Sequence, residues 1–206
     1  MENKGTTYAF IDASNLFYGG EKSLGWKIDY EKLLLYLKER YQVSRAFYFG
    51  GVETYGFVHN YLDNDSVPLN ELKDYLEEMS QFVTENFNIV KYLKRAKFYL
   101  KLQEFGYEVH LKPVKTYTNE DGSVTKKANC DVEMTFYLMK EKDNFDRAIV
   151  LSGDGDFLPV LKYLKDIGKE VIILARGQRT AKEIKQFAGG NFRDFVRLEK
   201  YIKLEK

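Results

Sequence analysis

The chain has 206 residues, of which 44% are hydrophobic and 31% charged, and its net charge is only +1. This composition is typical of a soluble globular protein that can bury a sizeable core. No stretch approaches the roughly 20 apolar residues of a membrane span, and residues 1–7 lack the apolar segment of a secretory signal. We therefore expect a cytoplasmic protein without a membrane partner. One cysteine and two histidines argue against a disulfide framework or a Cys/His zinc site.

Charge is distributed unevenly along the chain. Residues 90–128 carry a net charge of +5 and residues 162–206 a net charge of +6, which leaves −10 for the remainder. Such segregation would suit an acidic cleft with basic flanks, although charged helix faces are more often simply solvated.

The N-terminal part predicts a β-α-β unit. Residues 8–12 have the apolar pattern of a buried strand, and this strand ends in the carboxylate of Asp12. Residues 13–15 then turn the chain, and Gly19-Gly20 indicates a loop. A helix is expected to begin after Asp29 as its N-cap, and residues 43–49 are rich in strand-forming side chains.

The middle of the chain predicts a helical insertion, at about residues 52–100, and a basic hairpin. Two apolar stripes at helical spacing indicate helices that cover the sheet, formed by Leu69, Leu72, Leu76, Met79 and Val83 and by Val90, Leu93, Ala96 and Leu100. Tyr107, Val109 and Leu111 alternate as in a strand. Residues 112–127 are typical of a hairpin, with Lys112, Lys115, Lys126 and Lys127 at its base.

The last third of the chain predicts alternating helices and strands. A helix beginning near Asn129 would carry Asp131 in its first turn, where an aspartate commonly complements the helix dipole. Its inward stripe is expected to be Val132, Thr135, Phe136 and Met139. Beyond it we expect a buried strand at residues 171–174, a loop with Arg176 and Arg179, a helix from Thr180 to about Phe187, and a short strand at residues 195–198.

Two aspartates occupy a turn between a predicted strand and helix. Residues 148–151 form an apolar run that stops at Ser152-Gly153, and a helical pattern follows from Phe157. The turn would thus lie at the carboxyl end of the strand, and in open parallel sheets ligands bind at the edge formed by these ends. Asp156 would also serve as an N-cap, and Asp154-Gly155 as an ordinary turn. Two like charges crowded in one turn repel each other unless a cation or a proton intervenes, which favours a site.

Three segments together carry a resemblance to a known family. They are Ile11-Asp-Ala-Ser-Asn15, Lys127-Ala-Asn-Cys-Asp-Val-Glu133 and Val150-Leu-Ser-Gly-Asp-Gly-Asp-Phe157. In this order and spacing, they resemble the NYN-domain family of PIN-like metal-dependent ribonucleases over about residues 6–198. The resemblance implies one α/β domain over residues 1–206 with a PIN-like three-layer fold. That fold has a central, mostly parallel sheet flanked by helices, to which the helical insertion and the basic hairpin are added.

The resemblance also implies a carboxylate cluster that holds Mg²⁺ or Mn²⁺ and cleaves RNA. The matching positions are Asp12 and Asn15 in the first motif, Asp131 in the second, and Asp154 and Asp156 in the last. All five are predicted catalytic residues, and the four aspartates are predicted metal ligands. Three positions depart from the family pattern: Tyr137 replaces a further acidic residue, Ala128 replaces a glycine, and the C-terminal acidic position matches either Asn191 or Asp194.

The chemistry of these residue types agrees with that expectation. Hard divalent cations prefer oxygen ligands, and a metal-bound water is a better nucleophile, so neither histidine nor serine is needed as a catalyst. We expect Asp12 and Asp154 to bind the metal directly, and Asp131 and Asp156 either to bind it through water or to hold the attacking water. No phosphate-binding loop or dinucleotide fingerprint occurs in the sequence, which disfavours nucleotide hydrolases and dehydrogenases.

Two hypotheses about function follow. The first is a metal-dependent endoribonuclease that acts on RNA, expected to be single-stranded, with self-association left open. The backbone of the bound RNA would contact Lys112, Lys115, Lys126, Lys127, Arg176 and Arg179. The alternative is a catalytically weak RNA-binding or protein-interaction module that retains the fold. Tyr137 favours the alternative, and the four aspartates favour the enzyme.

Overall fold

A computed structural model describes residues 5–82, 87–119 and 121–205 of the protein. The strands are β1 (Thr7–Asp12), β2 (Val43–Val52), β3 (Glu108–Pro113), β4 (Lys115–Thr118), β5 (Val124–Lys127), β6 (Arg147–Leu151), β7 (Glu170–Ala175) and β8 (Phe192–Asp194). The α-helices are α1 (Ala13–Asn15), α2 (Lys22–Leu24), α3 (Tyr30–Tyr41), α4 (Leu69–Phe82), α5 (Phe87–Phe105), α6 (Asp131–Lys140), α7 (Leu158–Asp166), α8 (Lys182–Ala188) and α9 (Glu199–Ile202). A π-helical turn spans Leu16–Glu21, and 3-10 helical turns span Gly155–Phe157, Gly177–Arg179, Gly189–Asn191 and Phe195–Leu198.

Six strands form one sheet in the order β3-β2-β1-β6-β7-β8. Strand β1 pairs in parallel with both β2 and β6, and the pairs β6–β7 and β7–β8 are parallel too. Helices flank this sheet. The α/β fold with a central, mostly parallel sheet that the sequence predicts is therefore confirmed. Strands β4 and β5 pair separately as an antiparallel hairpin, also as predicted.

The chain divides into two compact units, Met1–Phe49 with Asp131–Lys206, and Gly50–Cys130. In the first unit, β1 and β6 are buried along almost their whole length. Both faces of these strands are covered, which explains why their sequences are almost continuously apolar. Helix α3 begins as predicted, since the Asp29 side chain accepts a hydrogen bond from the Lys32 N–H at 3.0 Å. The buried residues Leu33, Leu34 and Leu37 form its inner face.

In the second unit, α4 buries Leu69, Leu72 and Leu76 as predicted; Val83 lies outside the described residues. The stripe predicted for α5 is right in part: Ala96 is buried, and Leu93 and Leu100 are half-buried. Val90 is exposed, and the buried residues are Ile89, Ala96, Tyr99 and Leu102. Apolar residues lie on several faces of this helix, so the spacing of apolar residues in the sequence was compatible with more than one buried face. The alternation of Tyr107, Val109 and Leu111 is confirmed, since all three are buried.

Three further local predictions are wrong. In α6 the buried residues are Met134 and Leu138, whereas Val132 and Phe136 are 74% and 56% exposed. The helix has apolar residues on both faces, and only the structure shows which face packs. The predicted loop at Gly19-Gly20 belongs to the π-helical turn. Near the C-terminus the strand is β8, and the predicted strand at residues 195–198 is a 3-10 turn.

Within the described parts of the chain, we find no helix with the length and apolar character that crossing a bilayer requires.

Candidate functional site

Three of the predicted aspartates lie together in the first unit. Asp131, Asp154 and Asp156 each offer a carboxylate oxygen, and these oxygens all lie within 4.8 Å of one another. Asp131 is the first residue of α6 and is half-buried, whereas Asp154 and Asp156 are exposed in the turn between β6 and α7. The fold thus joins two segments that are separate in the sequence. We call these three residues the carboxylate group.

The turn between β6 and α7 is built by its own side chains. The Asp154 side chain accepts a hydrogen bond from the Asp156 N–H at 3.0 Å and caps the 3-10 turn Gly155–Phe157. The prediction that Asp156 is the cap is therefore wrong, because the helical geometry begins earlier than the periodicity indicates. Phe157 is buried and anchors the turn in the core. As a result, the carboxylates of Asp154 and Asp156 stay at the surface.

Asp12 lies at the same sheet edge but outside the carboxylate group. It ends β1, the parallel neighbour of β6, and it is only 7% exposed. Its Oδ1 accepts hydrogen bonds from the Ser14 N–H (2.9 Å), the Ser14 hydroxyl (2.7 Å) and the Asn15 N–H (3.1 Å). Its Oδ2 accepts one from the Ser152 hydroxyl at 3.1 Å. The carboxylate of Asp12 therefore already has four hydrogen-bond donors.

The first motif is joined to the last motif by side-chain hydrogen bonds. The Asn15 Oδ1 accepts from the Gly153 N–H at 3.1 Å, and the Ser152 hydroxyl accepts from the Asp154 N–H at 3.2 Å. Through Ser152, Asp12 is thus linked to the backbone of Asp154. Asp12 and Asn15 hold in place the turn that carries two members of the carboxylate group.

Thr180, two residues before α8, and Glu183, in the first turn of α8, border this turn and were missed by sequence reasoning. A Cβ on Gly153 would lie 2.5 Å from the Thr180 hydroxyl, and the Ala181 N–H donates to the Gly153 carbonyl at 2.9 Å. A Cβ on Gly155 would collide with the carboxylate of Glu183. Glu183 thus brings a further exposed carboxylate to the turn. The glycines in the motif were the available signal, because close approach of another segment requires them.

The positions that depart from the family pattern have structural partners. The Tyr137 ring packs at 5.7 Å from the ring of Phe47 and at 5.6 Å from that of Phe49. The Asn191 amide donates to the Val171 carbonyl at 3.2 Å. The Asp194 carboxylate accepts from the Val196 N–H at 3.1 Å and caps the following 3-10 turn.

The predicted RNA-binding residues fall into different environments. Arg176 lies 3.5 Å from the Asp194 carboxylate, 3.4 Å from the Ser23 hydroxyl and 3.0 Å from the Gln178 side-chain oxygen. Arg179 and Lys115 are exposed, and Lys112 is half-buried. Lys126 and Lys127 belong to β5, but their side chains lie outside the described part of the chain.

Fold and site together define an α/β protein with carboxylates near the carboxyl ends of its parallel strands. The NYN domain family model matches residues 6–195. The chain therefore belongs to the NYN domain family, which confirms the resemblance seen in the sequence.

Three known proteins are similar to this chain to different degrees. The low amplitude and bright protein LabA of Synechococcus elongatus is 22% identical over 180 residues, covering 85% of this chain and 76% of LabA. A protein of unknown function, VPA0982 from Vibrio parahaemolyticus, superposes with a TM-score of 0.62 and 18% identity over 99% of both chains. The T5 D15 protein co-crystallized with metal ions gives a TM-score of 0.45 and 16% identity over 87% of this chain and 59% of that one, and on such a similarity we base no conclusion.

Proposed function

We propose that the protein is a metal-dependent ribonuclease that hydrolyses RNA phosphodiester bonds at the carboxylate group. One observation carries the proposal. Three aspartates from two distant segments converge within 4.8 Å at the sheet edge, in a chain of the NYN domain family. Like charges at such separations repel each other, and a bound cation offsets this repulsion.

The carboxylate group has a suitable donor set for Mg²⁺ or Mn²⁺. All three side chains offer hard oxygen ligands, and Mg²⁺ typically binds one or two carboxylates, several waters and substrate phosphate oxygens. Two oxygens on one Mg²⁺ lie at most about 4.2 Å apart, since each bond is about 2.1 Å. The three oxygens, which lie within 4.8 Å of one another, would have to move closer by side-chain rotation to bind one ion. When bound, the ion would supply a more acidic water as nucleophile and offset charge on the phosphate.

The other predicted residues take separate roles in this proposal. Asn15 orients the turn of Asp154 through the Gly153 N–H. Direct ligation by Asp12 stays a prediction, and its four hydrogen bonds favour a positioning role instead. Exposed cations such as Arg179 and Lys115 would contact the RNA backbone.

A cleavage assay tests the proposal. Purified protein is incubated with a mixed single-stranded RNA pool in Mn²⁺, in Mg²⁺ or in EDTA. We expect metal-dependent cleavage that Asp154→Asn lowers by at least about 100-fold, on the scale of the several kcal/mol a catalytic metal contributes. Asp166→Asn, which changes an exposed aspartate of α7, is the matched control and should cleave as the wild type does. Cleavage in EDTA, or full activity of Asp154→Asn, would refute the proposal.

A second candidate function is an RNA-binding or protein-interaction module with little catalysis. The observation that favours it is Tyr137, which packs against Phe47 and Phe49 where many family members would carry an acidic residue. RNA binding without cleavage in Mn²⁺ or Mg²⁺ would support this candidate.

A further inference from the structure

A cleft beside the N-terminal helical turns combines aromatic and basic side chains. Its volume is about 1150 Å³, and its lining includes Phe17, Lys22, Trp26, Lys27, Lys203 and Leu204. We propose that this cleft binds a single-stranded RNA segment, with a base stacked on Trp26 and phosphates near Lys22 and Lys27. The identity of the ligand as RNA rests on the proposed function.

The walls of the cleft are fixed by backbone hydrogen bonds. The Leu204 N–H donates to the Lys27 carbonyl at 2.9 Å, and the Asp29 N–H donates to the Ile202 carbonyl at 2.8 Å. Between them, Ile28 and Lys203 form an antiparallel bridge. The segment that carries Trp26 is therefore held against the C-terminal segment, and the cleft has a defined frame. A preorganised frame lowers the ordering cost of binding.

The charge of the cleft suits a polyanion. Lys203 is paired with Glu199 at 2.6 Å, and Glu205, which also lines the cleft, is paired with Lys32 at 3.2 Å. Lys22 and Lys27 are exposed and form no ion pair with any residue in the described ranges. The charges left without an ionic partner there are thus positive. Single-strand binding sites combine such cations with aromatic rings, on which bases stack regardless of sequence.

The aromatic side of the cleft is also organised. The Lys22 ammonium lies 5.4 Å from the centre of the Phe17 ring and 5.1 Å from that of Tyr18, within the range of cation–π attraction. Tyr18 is 53% exposed. This pairing keeps a positive charge next to aromatic rings. A single-stranded RNA bound there could stack a base on a ring and place a phosphate near the cation.

The position of the cleft in the fold suits an RNA path to the carboxylate group. Its N-terminal wall follows Asp12 and Asn15 in the chain, and the Ser23 hydroxyl lies 3.4 Å from Arg176, which directly follows β7. Both features place this wall at the carboxyl ends of the strands, the edge that carries Asp154.

Trp26 makes the test direct because it is the only tryptophan of the chain. Its fluorescence is followed during titration with a 12-nucleotide single-stranded RNA in EDTA, and a duplex of the same sequence is titrated in parallel. We expect saturable quenching by the single strand that weakens with salt, and much weaker quenching by the duplex. Binding to the single strand without quenching, or equal quenching by the duplex, would overturn the proposal, as would the absence of any binding to RNA.

Variants separate stacking from charge, with affinity measured by anisotropy of labelled RNA. Trp26→Ala should weaken binding by about ten-fold, the scale of one lost base stack, and Trp26→Phe should restore part of it. Lys22→Ala with Lys27→Ala should reduce the slope of log affinity against log salt by roughly 0.7 per lost phosphate contact. Lys38→Ala, an exposed lysine of α3 outside the cleft, should change neither affinity nor slope. Unchanged affinity in both cleft variants would also reject the proposal.

The same titration distinguishes the cleft from the nuclease proposal. Asp154→Asn should show wild-type quenching in EDTA, since the cleft does not include the carboxylate group. Quenching without any cleavage would reject the nuclease and retain the cleft. Cleavage that does not depend on Trp26, Lys22 or Lys27 would do the reverse.

Discussion

The Ser152 hydroxyl donates a hydrogen bond to the buried carboxylate of Asp12 at 3.1 Å, although 140 positions separate the two residues in the chain. This bond joins the carboxyl ends of β1 and β6. Ser152→Ala would leave the buried Asp12 with one donor fewer and should lower the free energy of unfolding by about 1–3 kcal/mol. Urea denaturation at neutral pH measures this. Ser123→Ala, which removes only exposed hydrogen bonds of the hairpin turn, is the control and should lower stability less than Ser152→Ala does. Equal stabilities of the two variants would show that the Ser152–Asp12 bond adds nothing.

The carboxylate group predicts an unusual response to neutralisation. Asp154→Asn removes one of three neighbouring negative charges but keeps an oxygen that can cap the Asp156 N–H. We expect the metal-free variant to be at least as stable as the wild type, because repulsion falls. Mn²⁺ should raise the melting temperature of the wild type only, since a ligand that binds the native state adds about 2.7 kcal/mol at 100 times its Kd. Thermal denaturation with and without Mn²⁺ measures both effects.

The opposite outcome is as clear. If Asp154 were only a cap, Asp154→Ala would cost up to about 2 kcal/mol, and Mn²⁺ would shift neither melting temperature.

Arg176 and Arg179 should separate into a structural and a ligand-contacting residue. Arg176 contacts Asp194, Ser23 and Gln178, and its side chain is only 13% exposed. Arg176→Ala should therefore lower the free energy of unfolding by about 1–3 kcal/mol, because a partly buried charged network loses its centre. Arg179 is exposed, and Arg179→Ala should weaken RNA binding without this loss of stability. Urea denaturation and RNA anisotropy on both variants check the contrast, and equal stability of the two would contradict it.

The basic hairpin formed by β4 and β5 remains a predicted RNA contact. Lys126→Ala with Lys127→Ala should weaken binding about equally for every RNA sequence and flatten the salt dependence by roughly 0.7 per lost contact. The metal-induced thermal shift should persist. Lys38→Ala with Arg40→Ala, two exposed cations at the end of α3, is the matched control. Unchanged affinity and slope would indicate that the hairpin lysines are only solvated, and Lys91–Lys101 would become the next surface to mutate.

The sequence predicted most of the sheet because buried parallel strands are short apolar runs. Residues 8–12, 148–151 and 171–174 all fall within strands of the structure. Of the three aspartates that meet, Asp154 and Asp156 were indicated by their place at a strand end, whereas Asp131 was predicted only from the family resemblance. The inward face of α6 could not be predicted, because Val132 and Phe136 are as apolar as Met134 and Leu138. Likewise, nothing local indicates that Asp12 would meet Ser152, or Gly155 the carboxylate of Glu183, because both contacts depend on tertiary packing.

The glycines of the segment Ser152–Asp156 are required because neighbouring residues leave no space for a side chain. Neither Gly153 nor Gly155 has the positive φ that only glycine adopts freely, in contrast to Gly168 with φ of +87°. A methyl group at Gly153 would lie 2.9 Å from the Thr180 backbone. The clash arises from the Cβ atom and not from the backbone conformation. Asparagine, although it tolerates a left-handed backbone, would therefore destabilise this position at least as much as alanine. The two glycines of the motif thus leave room for Thr180 and for Glu183 of α8. A movement of that helix would change the contacts of the turn that carries Asp154 and Asp156.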